Sequence, residues 1–329
     1  KNKKSCFKIW VSDYWKRFIS IITKMNIVFF GTPDFAIPSL RKIFESGHQI
    51  NAVVTAPDKV RGRGNKILFS DVKNWGIENN VPVLQPEFLK DEKFREELIA
   101  LNADLFIVVA FRILPQSIFT IPKYGSFNLH GSLLPKYRGA APIQWALING
   151  EKETGLTTFK LEEKVDTGNI YLQKKILIDD NDDAGSLFDK MSLLGAELVI
   201  KTIEMIEKNN FTLISQDNSL ASPAPKITKD LCPIDWRKTA FEIHNLVRGL
   251  SPSPTAFFLH NEKILKVYKT KINNEIKLNS GEIYQADEDL IIGCGKGALS
   301  ILELQLEGKK RLPIKEFLRG YNFLSKSKW

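Results

Sequence analysis

The stretch from Met25 to Pro57 constrains the fold more than any other. MNIVFFGT, 25 to 32, is a continuous apolar strand ending in a glycine and a threonine, PDFAIPSLRKIFES reads as a helix, and HQINAVVTAP, 48 to 57, is the next strand. Apolar runs that do not alternate with polar residues belong to strands buried on both faces. The order strand, turn, helix, strand opens a doubly wound parallel sheet. GTPDFA is not GxGxxG, and no second glycine lets the backbone close on a pyrophosphate, so this turn is not read as a dinucleotide site. VPVLQP, 81 to 86, and ADLFIVVAF, 103 to 111, predict two more buried strands, the latter preceded by the helix KDEKFREELIAL.

The chemistry concentrates in FNLHGSLLPKYRGAAPIQWAL, 127 to 147. Side chains of a strand repeat every second residue, so SFNLH, 126 to 130, turns the carboxamide of Asn128 and the imidazole of His130 to one side. A loop from Gly131 to Gly139 follows, and AAPIQWAL reads as a helix entered through Pro142. Two strands, TGLTTFKLE and IYLQKKILI, 154 to 162 and 170 to 178, flank VDTG, a turn able to return Asp166 to His130. Ligands of open sheets gather at the carboxyl ends of the strands, which is where Arg112, His130 and Asp166 are expected. Each residue alone has a plain structural reading: a core histidine, a strand-end asparagine, an Asx-turn aspartate. Together, an amide donor and a histidine oriented by a carboxylate form a kit for acyl transfer. His48, His244 and His260 sit in a turn, at core-like helical spacing and at a hairpin end, and carry no comparable pattern.

Asn128-x-His130-Gly-Ser132-Leu-Leu-Pro135-x-Tyr-Arg-Gly139 with Asp166-Thr-Gly168 resembles the folate-dependent formyltransferases. The likeness extends from Met25 to about Tyr321. It implies an α/β architecture: a Rossmann-like, doubly wound formyltransferase domain followed by a smaller OB-like β-barrel, a fold often used to hold nucleic acid. The implied reaction moves a formyl group from 10-formyltetrahydrofolate to the α-amine of methionyl initiator tRNA, with no metal. Asn128, His130 and Asp166 are then the catalytic residues, and Ser132, Leu133, Leu134 and Pro135 match the folate-contacting loop. Arg63, in a Gly-Arg-Gly within the basic stretch PDKVRGRGNKILFSDVK, matches a tRNA-contacting loop; by composition alone that stretch is an ordinary solvated loop. Many relatives have Tyr-Gly where this chain has Phe111-Arg112, with one residue more before Leu-Pro. An amino sugar nucleotide or glycinamide ribonucleotide as formyl acceptor, or an idle RNA-binding protein on the same fold, are the rival readings. The Gly-Arg-Gly loop, the second domain and the intact triad weigh against them.

Length and charge divide the chain. With 329 residues, 43% of them hydrophobic, two domains of ordinary size are expected. AGSLFDKMSLLGAELVIKTIEMIEK, 184 to 208, is a helix that closes the first domain, 25 to 208. NNFTLISQDNSLASPAPKIT, 209 to 228, reads as an extended linker. The second domain, 229 to 329, opens with a helix in DWRKTAFEIHNLVRGL and continues as short strands separated by NNE, NSGE and GCGKG. Of the net charge of +9, residues 1 to 24 supply +6, seven Lys/Arg against one Asp. Residues 25 to 228 are at −2, 23 basic against 25 acidic, and residues 229 to 329 at +5, 17 against 12. A basic second domain fits a phosphate-rich partner. Residues 1 to 24 are expected to be an extension outside the fold. Cys6, Cys232 and Cys294 form no CxxC pair, which points to a reducing, cytoplasmic setting and away from zinc. A monomer without membrane contact is expected.

Overall fold

The computed structural model describes residues 24–61 and 66–323. The apolar run after Met25 becomes β1 (Asn26–Gly31), and helix α1 (Ile37–Glu45) returns the chain to β2 (Gln49–Val54), parallel to β1. A short antiparallel hairpin follows, β3 (Lys59–Arg61) with β4 (Lys66–Leu68), then α2 (Asp71–Glu78) and β5 (Val83–Leu84). Helix α3 (Glu92–Ala100) leads into β6 (Leu105–Val109), and α4 (Gln116–Phe119) into β7 (Ser126–His130). After α5 (Pro142–Ile148) come β8 (Glu153–Lys160), β9 (Ile170–Leu177) and the long α6 (Ala184–Glu207). The strands form one seven-stranded sheet in the order β5-β2-β1-β6-β7-β8-β9. Its first five strands are parallel, and β8 and β9 are antiparallel additions.

Each central strand is buried on both faces, as its unbroken apolar run requires. Ile27, Phe29, Ile107, Phe127 and Leu129 pack with α1, α5 and α6 on one face. Val28, Phe30, Phe106 and Val108 face the opposite way, against Phe94 and Leu98 of α3 and Ile118 and Phe119 of α4. Burying a side chain of this size stabilises by about 1.5 to 3 kcal/mol, so these layers fix the strand ends on which the chemistry sits.

The second unit begins with α7 (Ala240–Leu250), whose Thr239 and Glu242 form a reciprocal cap. Strands β10 (Ala256–His260), β11 (Lys263–Asn273), β12 (Ile283–Gln285), β13 (Leu290–Gly293), β14 (Ala298–Leu306) and β15 (Arg311–Pro313) pair in the order β10-β11-β14-β13-β12, with β15 on the free half of the β14 edge. A last short helix, α8 (Ile314–Leu318), packs Ile314 and Phe317 into the same core. This antiparallel sheet is OB-like but curls into an open half-barrel. The two units meet helix to helix, α5 on α7, so closely that a β-carbon on Gly249 would lie 2.5 Å from Ile148.

Residues 209 to 228 do not hang free between the units. Ile214 pairs with Ile170, and Arg138 N–H donates to Ser222 O while Ala224 N–H donates to Arg138 O, so the segment runs as a strap across the loop after β7. No helix among the described residues is long and apolar enough to cross a membrane.

Candidate active site

Asn128 and His130 occupy the end of β7, and both line a cavity of about 410 Å³ together with Ala110, Phe111, Ile113 and Asp166. Asn128 is half-buried, and among the described residues its carboxamide makes no side-chain hydrogen bond, so its N–H donors remain available to a ligand. His130 is only 6% exposed. Its Nε2 lies 2.8 Å from the carbonyl oxygen of Tyr137. A carbonyl only accepts, so Nε2 carries the proton and Nδ1 is the nitrogen free to gain or lose one. Asp166 stands on that side, with Oδ2 3.8 Å from His130 Nδ1.

Both partners of His130 are held by strained or close-packed backbone. Tyr137 sits at φ +60 and Asp166 at φ +54, in the left-handed region that costs a non-glycine residue on the order of 1 kcal/mol or more. The Tyr137 side chain anchors its turn: its hydroxyl donates to Glu151 Oε1 at 2.7 Å and accepts from Asn149 Nδ2 at 3.1 Å. Burial pushes that hydroxyl up to about 12, so it stays protonated as a donor. Gly139 donates its N–H to Asp166 Oδ2 at 2.8 Å and holds φ +125, where a β-carbon would meet Ala224 O at 2.6 Å. Gly168, two residues after Asp166, lies so close to Lys160 that a β-carbon would fall 1.7 Å from its carbonyl oxygen. That contact explains glycine in VDTG by packing rather than by a positive φ.

The structure therefore brings Asn128, His130 and Asp166 together. The remaining expected residues that it describes are not among those lining this cavity. Ser132 to Pro135 do not line the cavity: the Ser132 hydroxyl donates to Lys136 O at 2.6 Å, and Leu134 is buried with Phe159 and Ile170. Thr157 ties this loop down, donating to Ser132 O at 2.7 Å and accepting from Leu134 N–H at 3.1 Å. Leu133 and Pro135 are the half-buried members of the four. Arg112 follows the carboxyl end of β6, as expected. Its guanidinium donates to Pro86 O and Glu87 O and lies over Phe111, so it braces the neighbouring turn and does not reach His130. Arg63 lies outside the described residues, as do residues 1 to 23 of the expected extension.

Several contributors were not visible in the sequence. The Tyr137 carbonyl and Thr157 act through backbone or local hydrogen bonds, which residue type does not announce. Gln216 in the strap touches the site from 50 residues beyond Asp166, with no motif around it. A larger cavity, about 580 Å³, lies between the two units against His244, Arg248 and Lys269, and contains none of the three chemical residues. Burial there pushes His244 down to about 4.

A parallel sheet that presents an amide donor, a histidine with one free nitrogen and a carboxylate at its carboxyl edge defines a group-transfer enzyme with an acyl-type electrophile. Comparison with known proteins makes the class specific. Residues 25–203 match the family model for formyl transferase and residues 226–322 that for the formyl transferase C-terminal domain. The chain is 46% identical over 301 residues to a methionyl-tRNA formyltransferase of Caldanaerobacter subterraneus subsp. tengcongensis, covering 91% of this chain and 97% of that one. It is 48% identical over 297 residues to that of Thermodesulfovibrio yellowstonii, 90% and 96% covered. Among solved structures, an N-formyltransferase from Helicobacter canadensis in complex with folinic acid and dTDP-3-aminofucose superposes with TM-score 0.64 at 25% identity, over 84% of this chain and 98% of that one. HypX from Aquifex aeolicus in complex with tetrahydrofolic acid gives TM-score 0.64 at 18% identity, over 90% of this chain and 47% of that one, a likeness of fold. The chain belongs to the formyl transferase family, among the methionyl-tRNA formyltransferases.

Proposed function

We propose that Asn128, His130 and Asp166 carry out formyl transfer from 10-formyltetrahydrofolate to the α-amine of methionyl initiator tRNA, the step that prepares this tRNA for translation initiation. The observation that carries the assignment of roles is the pairing of a cavity-facing, unengaged Asn128 carboxamide with a His130 whose Nε2 is occupied by Tyr137 O, leaving Nδ1 toward Asp166. Folate is the co-substrate in this family, and the reacting groups of the protein require no metal.

The neutral amine attacks the formyl carbon and a C–N bond forms. Negative charge gathers on the formyl oxygen, where N–H donors from Asn128 and from His130 protonated at Nδ1 stabilise it. Such donors are typically worth about 3 to 4 kcal/mol each in acyl transfer. The bond from carbon to the folate nitrogen then breaks. That nitrogen gains a proton and the attacking amine loses one, so protons balance. Asp166, fixed by the Gly139 N–H, stabilises the imidazolium while the proton is in transit. The exposed edges of Leu133 and Pro135 are the parts of the SLLP loop left to touch folate, and the loop's internal bonds keep the Tyr137 carbonyl in place. Arg63 is assigned to the acceptor end of the tRNA and the basic second domain, 229 to 329, to its phosphates. The protein acts as a cytoplasmic monomer.

Single-turnover formylation tests the assignment. His130→Ala and Asp166→Ala should each lower the chemical rate by about 100-fold or more while changing tRNA affinity little, and Asn128→Ala should behave likewise. A rate within about threefold of wild type at saturating substrates for either His130→Ala or Asp166→Ala would remove that residue from the mechanism. Arg63→Ala should slow turnover on methionyl initiator tRNA and spare folate binding. An unchanged rate on that tRNA would return Arg63 to an ordinary surface role.

A further inference from the structure

We propose that Gln216, in the strap between the two units, is a positioning residue for the reaction: its carboxamide clasps the turn that carries Asp166 onto Arg138 and so holds the carboxylate against His130. The inference rests on the roles assigned above to Asp166 and His130.

Gln216 uses both ends of its side chain. Its Oε1 accepts from Arg138 Nε at 3.1 Å and from Nη2 at 2.6 Å, and its Nε2 donates to Asp166 O at 3.0 Å and to Gly168 O at 2.8 Å. Asp166 needs such a hold. Its φ of +54 is a conformation an aspartate adopts at a cost, and it is from this backbone that the carboxylate reaches both Gly139 N–H and His130 Nδ1. Among the described residues, hydrogen bonds reach residues 162 to 168 from outside the turn from two groups, the Gly139 N–H on the carboxylate and the Gln216 carboxamide on the two carbonyls.

The strap itself is fixed on either side of Gln216, by the Ile214 and Ile170 pair and by the exchange between Arg138, Ser222 and Ala224. Ser222 Oγ also accepts from Tyr137 N–H at 2.9 Å, beside the carbonyl that holds His130 Nε2. One segment thus supports the backbone behind both members of the His–Asp pair. A carboxamide is the chemistry the clasp needs, because it accepts on the Arg138 side and donates on the carbonyl side. Glutamate keeps the acceptor and loses the donors, and methionine of similar length has no donor and only a weak sulfur acceptor.

The test uses the full chain with methionyl initiator tRNA and 10-formyltetrahydrofolate, and compares Gln216→Met, Gln216→Glu, Asp166→Ala and the Gln216→Met, Asp166→Ala double variant. Both single Gln216 variants should lose about 10- to 100-fold in kcat, the scale of a misplacement near 1 Å, with KM for either substrate within about threefold. In the Asp166→Ala background, Gln216→Met should cost less than twofold, because its effect passes through the missing carboxylate. Three results would overturn the proposal: Gln216→Met within threefold of wild type while Asp166→Ala is impaired; the same loss from Gln216→Met with or without Asp166; or Gln216→Glu at wild-type rate, which would mean that anchoring the strap to Arg138 is all the residue does. Asp166→Ala at wild-type rate would be a different failure, read from that variant alone, and would remove the underlying assignment together with the clasp.

Discussion

Gly139→Ala is the most demanding perturbation of this site, because one added methyl group acts on fold and chemistry together. At φ +125 a β-carbon is strained by about 1 to 3 kcal/mol, and it would lie 2.6 Å from Ala224 O and 3.1 Å from Ala224 C, both backbone atoms that cannot rotate away. Relief requires the strap or the loop to move, which breaks the Ala141 N–H to Ala224 O bond and adds about 1 kcal/mol. These two terms alone destabilise by about 2 to 4 kcal/mol, a lower bound of roughly 5 to 15 °C in melting temperature for a domain of this size. The same movement withdraws the Gly139 N–H from Asp166, a bond to a charged group worth about 1.5 to 3 kcal/mol. A carboxylate displaced by about 1 Å should slow transfer about 100-fold. The assay is single-turnover formylation at a temperature where circular dichroism shows the variant folded, alongside its thermal melt. A variant that melts like wild type and reacts within about threefold of it would refute the reasoning, since neither the close approach nor the N–H contact would then matter.

Three further outcomes are expected. Thr157→Val keeps the shape of a fully buried side chain but leaves Leu134 N–H and Ser132 O without their partner, so it should cost about 2 to 4 kcal/mol in a denaturant titration, where Thr157→Ser should cost less. His244 is held down at about 4 against an ordinary 6.5, so the unfolded chain binds a proton that the folded one refuses. Its contribution is complete above pH 6.5 and is lost as pH falls toward 4, about 2 kcal/mol after allowing for the part of the ring that water reaches. His244→Gln should flatten the stability profile in that window only. Lys309→Glu with Lys310→Glu, both exposed, should weaken all tRNAs alike and lower the slope of log affinity against log salt by about 1 to 2, read by filter binding across salt. Arg311 is left out of that test because it pairs with Glu303 and lies 4.4 Å over the Tyr268 ring, so its loss would also disturb the sheet.

What the amino-acid order determined by itself was local. The short unbroken apolar runs at 27 to 30 and 105 to 109, too short for helices of ordinary length, read as strands covered on both sides, and the two-residue spacing of Asn128 and His130 put both on one side of β7, because a strand's alternation is a property of the backbone. Pro142 opening a helix and the apolar spacing of 184 to 207 were legible for the same reason. Tertiary structure decided which nitrogen of His130 is free, since the carbonyl that occupies Nε2 belongs to a residue in the left-handed region of the following loop. It decided that Ser132 and Leu134 turn inward, because Lys136 O and an apolar cluster offered better partners than the cavity. It alone laid 209 to 228 across the site and brought Gln216 to a turn 50 residues earlier. Periodicity and residue type describe what each segment can bury. Which distant backbone groups then meet is set by the packing of whole layers, and no local pattern records it.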